Sequence, residues 1–398
     1  MNRLNQVLNV RTSVAAQKPD SWIHAEQLAR AYLNRAKLSG EFSDYVASQK
    51  ILKKTFELSG ERAGPVLTRA MLNFSIHRLP DVEADLVAAE SALLVDELTV
   101  QTISGIRGDV LLYTGHYSQA KDLYDQLESS DPNVTTATRL AHYHTNTGNH
   151  AAAERWLKKA EQRVKGRSSY LRAWLKLQLG ILSLERGRLD DALSYYEKGS
   201  AIFPGFWLIE EHIAEIDALQ GRDRKAEADY RNLIERTGSP LFMVALADIL
   251  QARPEIDDQL ESAMWRERAD NRYGLMIEKM PELISGHALG HFLESGDGKQ
   301  ALQLAKHNYQ LRPGGEAALL LVQAHAALGQ LTQANTLLVS LLHSPYRSAD
   351  LYATASVLYR HHGDAEKADE YDTLAFAVNP LSSSGLDWLR DKLKEAVH

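Results

Sequence analysis

Residues Tyr170–Gly205 read YLRAWLKLQLGILSLERGRLDDALSYYEKGSAIFPG, and two helices with a tight reversal between them are legible in that one stretch. In the first, Leu175, Leu179, Ile181 and Leu182 make an apolar stripe, and Gly180 has no side chain to hold a neighbouring helix away. Arg186-Gly187-Arg188 interrupts the pattern, since glycine supplies the left-handed conformation that ends a helix and turns the chain back. In the second, Ala192 is small where the pair would cross, Leu193, Tyr196 and Ile202 recur at helical spacing, and Pro204 stops the run. A hairpin of this kind keeps one apolar side open, so it must stack on a sibling.

Siblings are found by laying that stretch along the chain. Gly108, Gly115, Ala120, Tyr124 and Pro132 mark one copy, and Leu140, Ala141, Gly148, Ala153, Leu157 and Ala160 the next. Ala214, Gly221, Ala226 and Tyr230 follow, closed by Gly238-Ser239-Pro240. Further on stand Phe292, Gly296, Ala301, Ala305 and Pro313, then Leu321, Gly329, Ala334, Leu338 and Pro345, then Tyr359, Gly363, Ala368 and Pro380. The hinge glycines Gly115 and Gly148 are 33 apart, Gly187 and Gly221 34, Gly296 and Gly329 33, and Gly329 and Gly363 34. The step of 39 from Gly148 to Gly187 predicts a longer second helix through Arg163 or a longer loop around Gly166-Arg167-Ser168.

The Leu-Gly pair, the small residue followed four positions later by an aromatic, and the closing proline resemble the tetratricopeptide repeat, a helix-turn-helix of about 34 residues. The resemblance spans about nine-tenths of the chain and is that of a stand-alone bacterial member. It implies an all-α fold, a right-handed α-α superhelix of about ten helical hairpins with a C-terminal capping helix, here Gly385 to Val397 with Leu386, Trp388, Leu389 and Leu393 on one side. The expected organisation is a polar lead-in over 1–20, a regular array over 21–238, a divergent repeat and kink over 239–282, a second array over 283–380 and the cap over 381–398. The first two units match loosely, with Phe42 to Leu58 as a second helix, then Pro65 to His77 and Asp81 to Val95 hinged at Arg78-Leu79-Pro80 and carried by Ala84, Leu86, Ala89 and Leu93. In the divergent unit Arg253-Pro254 replaces the glycine hinge, and Glu255 to Met280 is either one extended helix projecting from the array or a divergent pair.

At 398 residues and 44% hydrophobic content the chain is long for one globule, a tension that a repeat array resolves. A net charge of -7 argues against a general nucleic-acid surface, which needs a concentrated basic face. The absence of cysteine excludes disulfides, thiolate zinc sites and thiol catalysis. The N-terminus carries no apolar leader, and no stretch is long enough to span a bilayer. A cytoplasmic location is therefore expected, with a periplasmic one as the alternative if a leader has been removed.

In the repeat family the first helix of each hairpin lines the concave side, so the resemblance projects a partner-binding stripe. It comprises Asp109, Leu112 and Tyr113, then Arg139, His142, Thr145 and Asn146, then Leu177, Gln178, Ile181 and Glu185, then Glu211, His212 and Glu215. Later units add His287, His291, Gln323, Arg360 and His361. Such a mixed polar stripe suits a protein or peptide in a groove, with homo-oligomerisation left open and no cofactor implied. His287 and His291, four apart on one helix face, are metal-ligand candidates, and Glu211, His212 and Glu215 form a comparable group; half-buried groove residues in a His-rich chain are the plainer reading of both. No phosphate loop, nucleophile elbow or HExxH is present, so the expectation is a scaffold and not an enzyme. Tyr170, Trp174, Tyr195 and Tyr196 read as inter-repeat core, Arg222-Asp223-Arg224-Lys225 as a solvated helix start, and Gly314-Gly315 as a turn.

Overall fold

The computed structural model describes residues 2–91, 96–166, 168–295, 297–382 and 386–395, and within them the chain is an all-α helical-repeat solenoid of 22 helices. α1 (Asn2–Gln17) precedes ten hairpins. The first five are α2–α3 (Trp22–Ser39, Phe42–Ser59), α4–α5 (Val66–Ser75, Leu79–Glu90), α6–α7 (Glu97–Tyr113, Tyr117–Ser130), α8–α9 (Val134–Asn146, His150–Arg163) and α10–α11 (Ser169–Leu184, Leu189–Ile202). The second five are α12–α13 (Trp207–Leu219, Asp223–Thr237), α14–α15 (Pro240–Gln251, Ile256–Lys279), α16–α17 (Pro281–Ser295, Gly298–Leu311), α18–α19 (Gly315–Ala327, Leu331–His343) and α20–α21 (Ala349–His361, Ala365–Val378). α22 (Asp387–Glu395) follows them.

The repeat spacing has a direct physical cause. A methyl group on Gly180 of α10 would lie 2.2 Å from the ring of Tyr196 on α11, so only glycine lets the two helices of that hairpin close on their aromatic. Tyr196 is fully buried, with Trp174 and Tyr195 packed half-buried beside the core of α8, α9 and α10, while Tyr170 stays at the surface. At the reversal Gly187 has φ 66°, the left-handed region expected of it.

Several expectations are sharpened or corrected. The polar lead-in is a helix, α1, with Leu8 buried against α2 and Arg11 donating to Gln27 at 2.6 Å. The second reversal falls earlier than Arg78-Leu79-Pro80: His77 takes the left-handed conformation (φ 64°), and Leu79 and Pro80 already belong to α5, whose first turn tolerates a proline. The long step before Gly187 comes from the connection after Arg163 and a 16-residue α10, not from a longer α9. Glu255 to Met280 holds one 24-residue helix rather than a pair, and α15 is docked on α14 through the Ser262 hydroxyl, which donates to the Ala247 carbonyl at 2.7 Å, while Ala269, Tyr273 and Met276 further along it are buried. Arg222 and Lys225 are more than a solvated start, for they hold the fully buried Asp217 at 2.5 and 2.9 Å. Leu93, Arg167, Gly296, Gly385 and residues 396–398 lie outside the described residues.

Contacts sort the chain into two compact units, each made of two separate segments: Met1–Ile103 with Gly199–Ile284, and Ser104–Lys198 with Ser285–His398. In the first, Trp207 lies 3.1 Å from where a Cβ on Gly40 would sit and donates its indole N–H to the Lys37 carbonyl at 3.3 Å, while Arg78 pairs with Glu282. One apolar cluster of this unit is built on Tyr230, Phe242, Leu246 and Leu250. In the second unit a single core joins Leu112, Tyr117, Tyr124 and Leu140 to Val322, Leu351, Leu358 and, on α22, Leu389 and Leu393. Three successive reversals of that unit meet three connections about 200 residues further on. Gly315 N–H donates to Tyr117 Oη at 3.1 Å, Arg347 N–H donates to the Asn146 carbonyl at 2.9 Å, and a Cβ on Gly187 would fall 2.5 Å from Asn379 Oδ1.

Candidate functional site

Those contacts build a recess in the second unit. The C-terminal ends of α6 and α8 bring Tyr113 and Asn146 against the start of α18, where Gly314 approaches the Tyr113 carbonyl so closely that a methyl would lie 2.4 Å from its oxygen. The recess is shallow and is lined by Leu112, Tyr113, Asn146, Arg312, Gly314, Gly315, Glu316 and Ala317. Arg312 is buried, donates Nε to Asn308 Oδ1 at 2.7 Å, and keeps Nη1 3.7 Å from the exposed Glu316.

Of the residues expected to meet a partner, Leu112, Tyr113 and Asn146 line the recess, and His142, Asp109 and Arg139 lie behind them. The His142 ring is 5.4 Å from that of Tyr113, and Asn146 Nδ2 donates to the His142 carbonyl at 3.0 Å. Burial lowers the His142 pKa, opposed by the negative charges of Asp109 and Glu316, so the ring is a neutral hydrogen-bonding group at physiological pH. Burial raises the Tyr113 phenol, with Glu316 and Asp109 adding to it. Asp109 and Arg139 are already committed to each other: Arg139 Nε and Nη2 each lie 2.9 Å from a different Asp109 oxygen, and Tyr124 Oη donates to the same carboxylate at 2.8 Å. They therefore tie α6 to α8 and α7, and their charges are matched internally. Gln178 is half-buried on α10 and is not part of the recess lining, whereas Leu177 beside it is fully buried in the core.

Two carboxylates extend the recess electrostatically. Glu185, just past α10, is exposed to water yet enclosed enough that burial, reinforced by Asp350 and Glu316, raises its pKa to about 7. Burial likewise raises Asp350 in the first turn of α20. Water reaches both carboxylates and screens their charges. Arg312, Glu316 and Asp350 have no local sequence signal, because their neighbours across the recess lie about 130 to 205 residues away along the chain. The one available cue is Gly314-Gly315, a pair demanded by close backbone approach and not only by a turn.

Glu211, His212 and Glu215 lie on α12 in the first unit, where His212 Nδ1 is 3.3 Å from Glu211 and 2.9 Å from Glu215. Burial raises the Glu211 pKa, with Glu215 adding to it and His212 opposing. Burial works against a charged His212, but the Glu215 hydrogen bond and both carboxylates prevail and raise it. His291 is buried with its ring 5.2 Å from that of Phe292, and the side chain of His287 is outside the described residues. Gln323 is buried and donates to Thr354 Oγ1 at 3.0 Å, and Arg360 pairs with Asp369 and Asp372 of its own hairpin.

Residues 133–204 match the family model of the tetratricopeptide repeat. No curated protein matches the sequence. Among solved structures, the human IFIT1 dimer with m7Gppp-AAAA is 15% identical over 93% of this chain and 94% of that one, with a TM-score of 0.45. The Cut9-Hcn1 hetero-tetramer of the APC/C is 14% identical over 94% and 76%, with a TM-score of 0.40. A Rap protein complexed with Competence and Sporulation Factor is 12% identical over 83% and 98%, with a TM-score of 0.43. No helix among the described residues is long and apolar enough to cross a membrane.

Proposed function

Starting from a chain built of tetratricopeptide repeats, we propose that it is a non-catalytic scaffold that holds a protein or peptide segment at the recess of its second unit. The observation that supports this reading is the recess itself: Tyr113, Asn146, Arg312 and Glu316, from three parts of the chain, line it together. A buried guanidinium and an aromatic beside it give an anchor of the kind that dominates interface energetics. The neutral His142 and the carboxylates of Glu185 and Asp350 extend the polar surface around that anchor. Because helices on both sides are already packed, little ordering cost falls on the scaffold when a partner docks.

The partner is identified by affinity capture with mass spectrometry on the full chain, compared with Tyr113→Ala and Glu316→Arg. Both residues line the recess, and circular dichroism of each variant checks that the helices are kept. A partner recovered by the parent and depleted about tenfold or more by both variants supports the reading, since anchor truncations cost about 2 kcal/mol or more. Equal recovery by parent and both variants would place the binding surface elsewhere.

A further inference from the structure

α12 presents Glu211, His212 and Glu215 within two turns of one helix. Positions three and four apart share a helix face, so Glu211 and His212 both lean toward Glu215. His212 Nδ1 lies 3.3 Å from a Glu211 oxygen and 2.9 Å from a Glu215 oxygen, and one ligand atom from each of the three residues falls within 4.8 Å of the others. A first-row divalent cation takes imidazole nitrogen and carboxylate oxygen at about 2.0–2.2 Å, which separates neighbouring ligand atoms by roughly 2.9–3.6 Å in octahedral to tetrahedral arrangements. Both measured edges lie in that range, and the third closes by rotation of a terminal carboxylate.

Charge points the same way. Two carboxylates share one imidazole, and neither Glu211 nor Glu215 pairs with a lysine or arginine among the described residues. Glu210, one position earlier, has its own cation in Arg236 at 2.5 Å. The three side chains are 14, 18 and 38% exposed, enclosed enough to strengthen coordination and open enough on the Glu215 side for water to complete it.

We infer that Glu211, His212 and Glu215 form a divalent-cation site, binding through His212 Nδ1 and one oxygen of each carboxylate, with water in the remaining positions. One imidazole with two carboxylates suits zinc, manganese or iron better than magnesium or calcium, whose preferred ligands are all oxygen. Binding displaces the proton shared between His212 and Glu215. All three ligands come from one packed helix, so the cation adds to the surface of the first unit without being needed for its fold.

The test is isothermal titration of zinc chloride into the full chain, made without an affinity tag and stripped with chelator, with magnesium chloride in parallel. Zinc is expected to bind at one equivalent and magnesium far more weakly. Glu215→Gln and His212→Ala should each weaken zinc about tenfold or more, while His343→Ala, on an exposed surface of α19, should not. Helical circular dichroism and the melting temperature in chelator separate a lost ligand from a lost fold, and Glu215, the most exposed of the three, carries the test should His212→Ala fail to fold. No zinc uptake, or uptake unchanged in both variants because other members of the chain's 15 histidines hold it, overturns the inference.

Discussion

Glu185 ends a helix at the surface of the recess, and its environment resists ionisation. Burial, Asp350 and Glu316 raise its pKa to about 7, so the folded chain holds a proton there that the unfolded chain has already released. Stability therefore falls as pH rises from the ordinary glutamate range to about 7 and is level above it. Glu185→Gln removes that dependence: its melting temperature should match the parent near pH 4.5 and exceed it increasingly up to pH 7. The gain will be small because water reaches the carboxyl group. Thermal melts across that range check it, and a constant or reversed difference would refute the assignment. Asp109 and Arg139 teach a related lesson. Both fall on the stripe that helix periodicity projects, yet a stripe cannot reveal that two of its members neutralise one another across neighbouring hairpins.

Hairpins are the scale at which the sequence is most legible. Glycine spacing locates these reversals because they turn on a left-handed residue, and Gly115, Gly148, Gly187, Gly221, Gly329 and Gly363 all adopt that conformation. What spacing hides is that these glycines differ in surroundings. Gly148 and Gly221 have nearly the same φ, 74° and 73°, but a Cβ on Gly148 would meet Arg347 Cβ at 2.8 Å, while nothing lies within 4 Å of one on Gly221. Gly221→Ala should cost only the left-handed backbone penalty of about 1–2 kcal/mol. Gly148→Ala should cost about 1–3 kcal/mol more, from overpacking. Chemical denaturation of the two variants decides the point, and equal losses would mean that the Arg347 connection yields freely. α15 was half-legible for a different reason: its length and charge were visible, but its docking depends on a serine hydroxyl and an alanine carbonyl on another helix.

At the scale of the whole molecule, nearest-neighbour stacking accounts for the hairpins and leaves out the two units. No periodic pattern announces that Leu140 shares a core with Leu351, since that pairing joins segments with the stretch 199–284 between them. If each unit is cooperative across its two segments, Leu351→Ala should loosen both. A buried leucine truncation costs about 2–5 kcal/mol, and hydrogen exchange should quicken over 104–198 as well as 285–398, with 199–284 unchanged. Faster exchange confined to 285–398 would show the segments to be independent. The interleaving also bears on synthesis. When α6 to α10 leave the ribosome, the residues that complete their core have not been made; at roughly 5–20 residues per second, the wait for α20 is on the order of 10 s. For that interval Leu112 and Leu140 are without Leu351 and Leu358, so the half-built second unit leaves apolar surface uncovered that the finished chain buries.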